Sequence, residues 1–282
     1  MSAATLEGLR KHLNGLPSLS AVRTELLRCL TQDDVDLSKV TRLVAADPVI
    51  AAKVLRIANS SFFGLPCQVD SLTQAVTLLG FSGLQSVALA SAVMDAFTSS
   101  ADTTWFDHEG FWRHGIATAT CAQLLADRVA VNGALAFTAG LLHDLGRLAM
   151  VTCYPKAYRA AFDHRLAHDL PWRDAEAHAL GFDHCQAGGL LADHWRLPSS
   201  IGHSMALHHD TGHPQAGALV QLVHVADVLA HALDLTGADD EMVPTLQANA
   251  WDALAIDWGD SSALFAAIEE RYQRTCDSLL SP

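Results

Sequence analysis

Apolar residues recur at helical spacing along most of this chain. In DPVIAAKVLRIANSSFFG (47–64), Ile50, Val54 and Ile57 fall on one face of a helix. Asp47 is placed to cap the start of that helix, with Pro48 at its first position. The segment therefore predicts a capped amphipathic helix whose apolar face lies in a core.

The same periodicity continues on both sides of this segment. A helix capped by Ser71 is predicted to end at Gly80, and a new helix is predicted with its cap near Ser82. The segments FWRHGIATATCAQLLADRVA (111–130) and SALFAAIEERYQRTCDSLL (262–280) are also amphipathic. Because no convincing run of alternating β-branched residues and no internal repeat is found, the predicted fold class is all-α.

Two polar stretches divide the apolar helices. The first, TSSADTTWFD (98–107), predicts a boundary between an N-terminal helical lobe, 1–100, and a second lobe, 101–282. The second, 235–247, predicts a loop before the last helices.

One long stretch, 71–94, carries no charge and is long enough to span a bilayer. Its repeated Ser, Thr and Gln residues and its two glycines instead favour two buried helices. The first residues lack the basic and apolar regions of a secretory signal. We therefore expect a cytoplasmic protein without a membrane segment.

The charge balance narrows the class of partner. Half of the 282 residues are apolar, only 17% are charged, and the formal net charge is −13. Direct nucleic-acid binding is not expected, because it needs clustered Lys and Arg, and the 18 basic residues here are scattered. The six cysteines are dispersed without a C-x-x-C spacing, which indicates reduced, mostly buried thiols. Fifteen histidines point to imidazole chemistry.

The segment AGLLHDLGRLAM (139–150) places His143 and Asp144 side by side among apolar residues. A buried polar pair is costly unless each group has a partner. A metal ion would be one such partner, and a hydrogen-bond network in which the aspartate orients a neutral imidazole would be another. Imidazole and carboxylate ligands suit zinc, iron, manganese or nickel.

The order of several sequence blocks resembles the HDOD domain family, a bacterial signalling relative of the HD and HD-GYP metal-dependent phosphohydrolases. The resemblance covers roughly residues 16–230, and the following blocks carry it: LPSL (16–19), DPVIAAKVLRIANSSFFG (47–64), AVTLLGFSGLQSVAL (75–89), FWRHGIATA (111–119), AFTAGLLHDLGRL (136–148) and HCQAGGLLADHWRLP (184–198). It implies a two-lobed helical architecture with an HD-like helical bundle.

The resemblance also implies a ligand set for a mononuclear or dinuclear centre of iron, manganese, nickel or zinc. One ion would be held by His114, His143, Asp144 and Asp227, and a second by His184, His208 and His209, with Asp144 bridging. The alternative to metal binding is that these histidines are buried in the core and hydrogen-bonded to protein groups. Six further histidines are expected at the surface or in local packing: His164, His168, His178, His194, His203 and His213. His224 and His231 share one helical face with Asp227.

Two features of the sequence depart from the HD-GYP pattern. Gly212, His213 and Pro214 stand where that branch carries Gly-Tyr-Pro, and only seventeen residues separate His209 from Asp227. Both departures argue against hydrolysis of cyclic di-GMP. Arg147 stands where phosphohydrolases tend to have Lys, and it shares a helical face with Asp144, from which it could hold a phosphate or form a salt bridge.

Three functions remain open. The favoured one is a non-enzymatic signal-transduction module that acts through a ligand, a metal or signalling-protein partners, including those of cyclic di-GMP pathways. The second is a metal-dependent phosphohydrolase in which Asp144 and Arg147 are catalytic and paired ions activate water. The third is a metal or redox sensor without chemistry. No Ser-His-Asp or Cys-His motif suggests nucleophilic catalysis.

Overall fold

The structure is a computed structural model. It describes residues 4–14, 37–47, 71–77, 103–237, 242–256 and 261–280, with shorter pieces between 25 and 97 and at 258–259. Within these residues the secondary structure is helical and contains no strand, which confirms the predicted all-α class. Residues 242–247 form the predicted loop before the last two helices.

Twelve helices have described bounds. They are α1 (Leu6–Leu13), α2 (Leu37–Ala45), α3 (His108–Ala126), α4 (Gly133–Leu142), α5 (Leu145–Cys153), α6 (Pro155–His168), α7 (Trp172–Leu180), α8 (His184–Trp195), α9 (Ser199–Leu207), α10 (Ala218–Ala232), α11 (Ala248–Leu254) and α12 (Ser262–Leu279).

Two of the predicted helix caps are present. The Asp47 carboxylate accepts a hydrogen bond from the backbone N–H of Ile50 at 3.2 Å, and the Ser71 hydroxyl accepts one from Gln74 at the same distance. These bonds satisfy amide donors that a helix start leaves unpaired. Pro48, Ile57 and Ser82, which belong to the same predictions, lie outside the described residues.

Helix α3 is central, and it packs against α4, α10 and α12. Its approach to α4 is unusually close because small residues face each other there. A Cβ added to Gly140 would lie 2.7 Å from the Cα of Ala119, too close for any side chain. The two backbones therefore almost touch, which brings the end of α4 close to the middle of α3.

A second close approach joins α5 to the start of α8. A Cβ added to Gly146 would lie 2.7 Å from the backbone nitrogen of Gly188, and it would overlap the carbonyl oxygen of His184. The segment Gly133–Cys153, formed by α4, α5 and the turn between them, is apolar and long enough to cross a membrane, but 83% of the 18-residue apolar stretch within it is buried in this fold.

The N-terminal helix packs on the second predicted lobe. Helix α1 lies against α5 and α8, and the ring of Tyr154, just after α5, meets the ring of His12 edge-on at 5.0 Å. The predicted boundary near residue 100 stays a prediction.

Candidate metal centre

Six helices deliver polar side chains to one buried cluster. His143 ends α4 and Asp144 begins α5, so the His-Asp pair occupies the turn between two helices. The other predicted donors come from the middle of α3, the first residue of α8, the end of α9 and the middle of α10: His114, His184, His208 and Asp227. All six are at most 8% exposed, although polar side chains of this kind are rarely buried without partners.

A backbone carbonyl orients the ring of His143. Its Nδ1–H donates to the carbonyl oxygen of Gly140 at 2.6 Å, which turns Nε2 towards the other side chains of the cluster. That nitrogen lies 3.3 Å from His114 Nε2 and 3.6 Å from Asp227 Oδ1. Two imidazole nitrogens therefore face each other beside a carboxylate.

Asp227 is the centre of the first donor group. Its Oδ1 lies 3.1 Å from His114 Nε2 and 3.5 Å from Nε2 of His231, one turn further along α10. The donor atoms of these three residues all lie within 4.8 Å of one another, and so do those of His114, His143 and Asp144.

Asp144 connects this first donor group to a second one. Its Oδ1 lies 3.7 Å from His143 Nε2, 3.4 Å from His184 Nε2 and 3.6 Å from His208 Nε2. His208 donates its Nδ1–H to the carbonyl oxygen of Ser204 at 3.0 Å, so its Nε2 is the nitrogen that faces Asp144. The sulfur of Cys185 also lies in this second group.

His184 is oriented by a carboxylate from α7. Glu176 Oε2 accepts hydrogen bonds from the Nδ1–H of His184 at 2.7 Å and from its backbone N–H at 2.9 Å. Glu176 is fully buried. Metal-binding histidines commonly donate their second ring N–H to a carboxylate in this way, which fixes the ring and leaves the other nitrogen free for the ion.

Arg147 links Asp144 to Tyr158 by hydrogen bonds. It donates from Nη1 to Asp144 Oδ2 at 3.3 Å and from Nε to the Tyr158 hydroxyl at 3.0 Å. Tyr158 donates in turn to Glu176 Oε1 at 2.8 Å. The guanidinium also stacks 4.1 Å above the ring of Trp172. The network thus runs from Asp144 through Arg147 and Tyr158 to Glu176, which in turn holds the ring of His184.

Neighbouring charges shift the pKa values of several residues in the cluster. Burial opposes ionisation of Asp144, but His143 and His184 outweigh it and hold the pKa of Asp144 well below its usual range. Burial likewise opposes the charge on His208, yet Cys185 and Asp144 raise the pKa of His208 to about 10. The pKa of Cys185 is about 6, because His208 and His184 outweigh the effect of its burial. Without a metal, protons on the histidines balance the carboxylates.

The donor set fits a metal ion. His143, His184 and His208 each have one ring nitrogen committed to a protein acceptor and turn the other towards Asp144 Oδ1. A cation bound between these nitrogens and the carboxylate would replace the protons that balance their charges in the metal-free cluster. With ligand bonds of about 2.1 Å, neighbouring ligands of a tetrahedral ion lie about 3.4 Å apart, close to the separations observed here. Groups of His, Asp and Cys in this protein could hold a metal.

The structure brings together six of the seven ligands that the resemblance implies. The ring of His209 instead packs beside the cluster, 4.2 Å from the ring of His208, and its donor atoms belong to neither compact group of the described residues. Burial lowers the pKa of His209 well below its usual value. His224 accepts a hydrogen bond from the backbone N–H of Gln247 at 3.0 Å, so it anchors the loop 242–247.

Three residues of the site were not among the predicted ligands: His231, Cys185 and Glu176. His231 shares a helical face with Asp227, a spacing that the sequence displays. Cys185 follows a predicted ligand directly. Glu176 gives no comparable signal, because its helix carries charged residues typical of a solvated surface. Arg147 lies on the Asp144 side of α5 as predicted, and its role in holding a phosphate stays a prediction.

A family model and one sequence relative match this chain. The model of the HDOD domain matches residues 16–211, which confirms the resemblance read from the sequence. An uncharacterised protein of Treponema pallidum is 25% identical over 230 residues, which are 79% of this chain and 43% of the relative. The chain therefore spans less than half the length of that curated relative.

Solved structures share the fold over nearly the whole chain. A proposed phosphohydrolase of Shewanella amazonensis is 27% identical with a TM-score of 0.79, and the match covers 96% of this chain and 98% of that one. An HDOD domain protein of unknown function from Geobacter sulfurreducens is 24% identical with a TM-score of 0.80, covering 97% of both chains. A proposed signal transduction protein of Marinobacter aquaeolei is 20% identical with a TM-score of 0.80, covering 97% of this chain and 61% of that one. The last two likenesses concern the fold alone.

Proposed function

Because this chain belongs to the HDOD domain family, we propose that it is a signal-transduction module whose output depends on metal bound in the histidine cluster. The centre would hold one or two ions of iron, manganese, nickel or zinc. Its partners would be other signalling proteins, including those of cyclic di-GMP pathways. The ion would fix the relative positions of the six helices that carry the donor side chains, α3, α4, α5, α8, α9 and α10.

The observation that carries this proposal is the burial of the donor residues. Asp144, which both donor groups share, is 7% exposed, and His143 and His184 are at most 2% exposed. Catalytic metal sites keep one position open for water or substrate, whereas structural sites are closed by protein ligands. A buried centre with oriented ligands favours a regulatory role over turnover.

The residues of the chain have defined tasks under this proposal. His114, His143, Asp144 and Asp227 would hold one ion, and His184 and His208 with Asp144 would hold a second. His231 belongs to the first group through Asp227, and His209 lies beside the cluster. The carbonyls of Gly140 and Ser204 and the carboxylate of Glu176 keep the three neighbouring imidazoles in one orientation. A bound ion supplies the positive charge that these donors need.

Metal content is the test. Untagged protein purified without chelators would be analysed by elemental mass spectrometry beside Asp144→Asn, which preserves the shape of the side chain. A surface cluster, His164 with His168 and His178, could bind metal adventitiously, because its rings lie 4.1–4.3 Å apart. His164→Ala is therefore the matched control. We expect near-stoichiometric metal in the wild type and in the control, and its loss in Asp144→Asn.

The outcomes separate the alternatives clearly. A wild-type protein that takes up no metal even on reconstitution would overturn the proposal and leave the histidines as a hydrogen-bonded core. Metal that is lost in His164→Ala but retained in Asp144→Asn would place the ion at the surface and overturn it equally.

A second candidate function is a metal-dependent phosphohydrolase. Asp144 favours it, because the Oδ1 atom of this one carboxylate faces His143 of the first group and His184 and His208 of the second. Paired ions on a shared carboxylate can activate water for attack on phosphorus. Asp144 and Arg147 would then act in catalysis, with Arg147 against a phosphate oxygen. Metal-dependent release of nitrophenol from bis(nitrophenyl) phosphate, abolished in Asp144→Asn, would favour this function over the regulatory one.

A further inference from the structure

The second donor group contains a sulfur atom that the family ligand set does not include. We propose that Cys185 Sγ is a metal ligand, so that Asp144, His184, Cys185 and His208 form a mixed nitrogen, oxygen and sulfur site selective for zinc. This inference rests on the proposed metal binding and assigns a thiophilic ion to one of the two positions.

The position of the thiol supports this assignment. Cys185 is the second residue of α8, directly after His184, and only 3% of it is exposed. Its Sγ lies 3.9 Å from both ring nitrogens of His208. Donor atoms of His184, Cys185 and His208 all lie within 4.8 Å of one another. One ion could therefore contact all three side chains.

An unpaired buried nitrogen indicates that this group has an unfilled partner. Nε2 of His184 has no hydrogen-bonding partner of suitable geometry among the described residues, although Asp144 Oδ1 lies 3.4 Å away. The residue is 2% exposed, and its Nδ1 is already held by Glu176. A buried nitrogen left without a hydrogen bond is unfavourable, because it has lost its contact with water and gained no partner in return. An ion in this group would supply the missing partner.

The distances match a small tetrahedral site. With bonds of about 2.1 Å to nitrogen or oxygen and about 2.3 Å to sulfur, neighbouring ligands lie about 3.4 Å apart, or about 3.6 Å where one is sulfur. The observed separations are 3.4 and 3.6 Å from Asp144 Oδ1 to the two imidazoles, and 3.9 Å from the sulfur to His208. Small adjustments of the side chains would bring all four donors onto one ion.

The two donor groups therefore differ in chemistry. The first offers imidazole and carboxylate from His114, His143, Asp227 and His231, a set that suits iron or manganese as well as zinc. The second adds a thiol, which gives up its proton on coordination and favours zinc over manganese or magnesium. Asp144 lies between the two.

Cobalt(II) provides a spectroscopic test of the ligand set. Metal-free protein would be titrated with cobalt, and a thiolate ligand adds an intense sulfur-to-cobalt charge-transfer absorption in the near ultraviolet beside the weak visible bands of the ion. The variants would be Cys185→Ser and, as the control, Cys153→Ser, which changes a partly exposed thiol at the end of α5. We expect the ultraviolet band in the wild type and in Cys153→Ser, and its loss in Cys185→Ser with visible bands retained.

Other results would contradict either the thiolate ligand or metal binding itself. Visible cobalt bands in the wild type without the charge-transfer band, or a band that survives in Cys185→Ser, would overturn the thiolate assignment while metal binding stands. No cobalt bands of either kind would overturn the proposed function itself. X-ray absorption of the unmodified zinc-loaded protein tests the same assignment without a variant, so misfolding of Cys185→Ser cannot affect the result. Sulfur in the zinc shell supports the proposal, and its absence refutes it.

Discussion

Replacing Gly146 by alanine tests whether the contact between α5 and α8 builds the metal centre. The added Cβ would lie 2.7 Å from Gly188 N and 2.8 Å from the carbonyl carbon of His184, where ordinary contacts begin at 3.4 Å. These are backbone atoms, so no side chain can rotate away. Helices α5 and α8 must therefore separate by at least about 0.7 Å, a gap that forfeits roughly a quarter to a half of the dispersion attraction across their interface.

The expected loss of stability follows from that separation. Overpacking a tight interior contact costs about 1–3 kcal/mol, and the rigid backbone on both sides places Gly146→Ala at or above the upper end of that range. For a chain of this size the change corresponds to a fall in the melting temperature of roughly 5–10 °C. Because Asp144 precedes the contact and His184 forms it, the two ligands also move apart and metal content falls.

Thermal unfolding and elemental analysis of the soluble protein would measure both effects. Gly202→Ala is the matched control, since its Cβ would meet only the Ala192 side chain at 3.4 Å within a helix. Alanine there is expected to stabilise the protein by about 0.5–1 kcal/mol through its helix propensity. An unchanged melting temperature and full metal content in Gly146→Ala would refute the link between this contact and the site.

Three further variants or conditions address the surroundings of the site. Glu176→Gln should weaken metal binding about 10–100-fold in competition with a chelator, because the acceptor of a ligand's ring proton loses its charge, whereas the exposed Glu109→Gln should leave affinity unchanged. Arg147→Lys should lower the free energy of unfolding in denaturant by about 1.5–3 kcal/mol, since a lysine cannot bond to both partners of the guanidinium; equal stability would contradict the network. Metal at 100 times its dissociation constant should stabilise the wild type by about 2.7 kcal/mol, seen as a higher melting temperature, but not Asp144→Asn. The same metal should slow hydrogen exchange in residues 4–14, and an unchanged exchange rate there would count against coupling to α1.

Helical periodicity was sufficient to predict the fold class, because the amphipathic segments bury their apolar faces, as far as the structure describes them, in the way that the spacing requires. The caps at Asp47 and Ser71 were predictable for the same local reason. The close approaches at Gly140 and Gly146 were not, since a glycine within a helix does not reveal which backbone will lie against it. Such contacts depend on the arrangement of helices that are distant in sequence.

The candidate site was predictable to the extent that its residues belong to recognisable blocks. His143 and Asp144 carry their own signal as an adjacent polar pair in an apolar segment. Glu176 lies eight residues before His184, in a helix that by itself looks like a charged surface element, and only the packing of α7 beside α8 makes it a partner of that ligand. His209 shows the converse limit, because adjacent residues at a helix end point in different directions.

The same helices connect the metal centre to the N-terminal part of the chain. Helix α1 lies on α5 and α8, the elements that contribute Asp144 and His184, and the hydroxyl of Tyr154 lies 3.4 Å from the carbonyl oxygen of Thr5. An ion between Asp144 and His184 would favour the arrangement of α5 and α8 that brings these donors together. A ligand shifts a conformational equilibrium only through different affinities for its states. Because α1 packs on the surface that these two helices form, the ion would also favour the docked state of α1. Metal binding in a buried centre would then change a surface that partner proteins can contact.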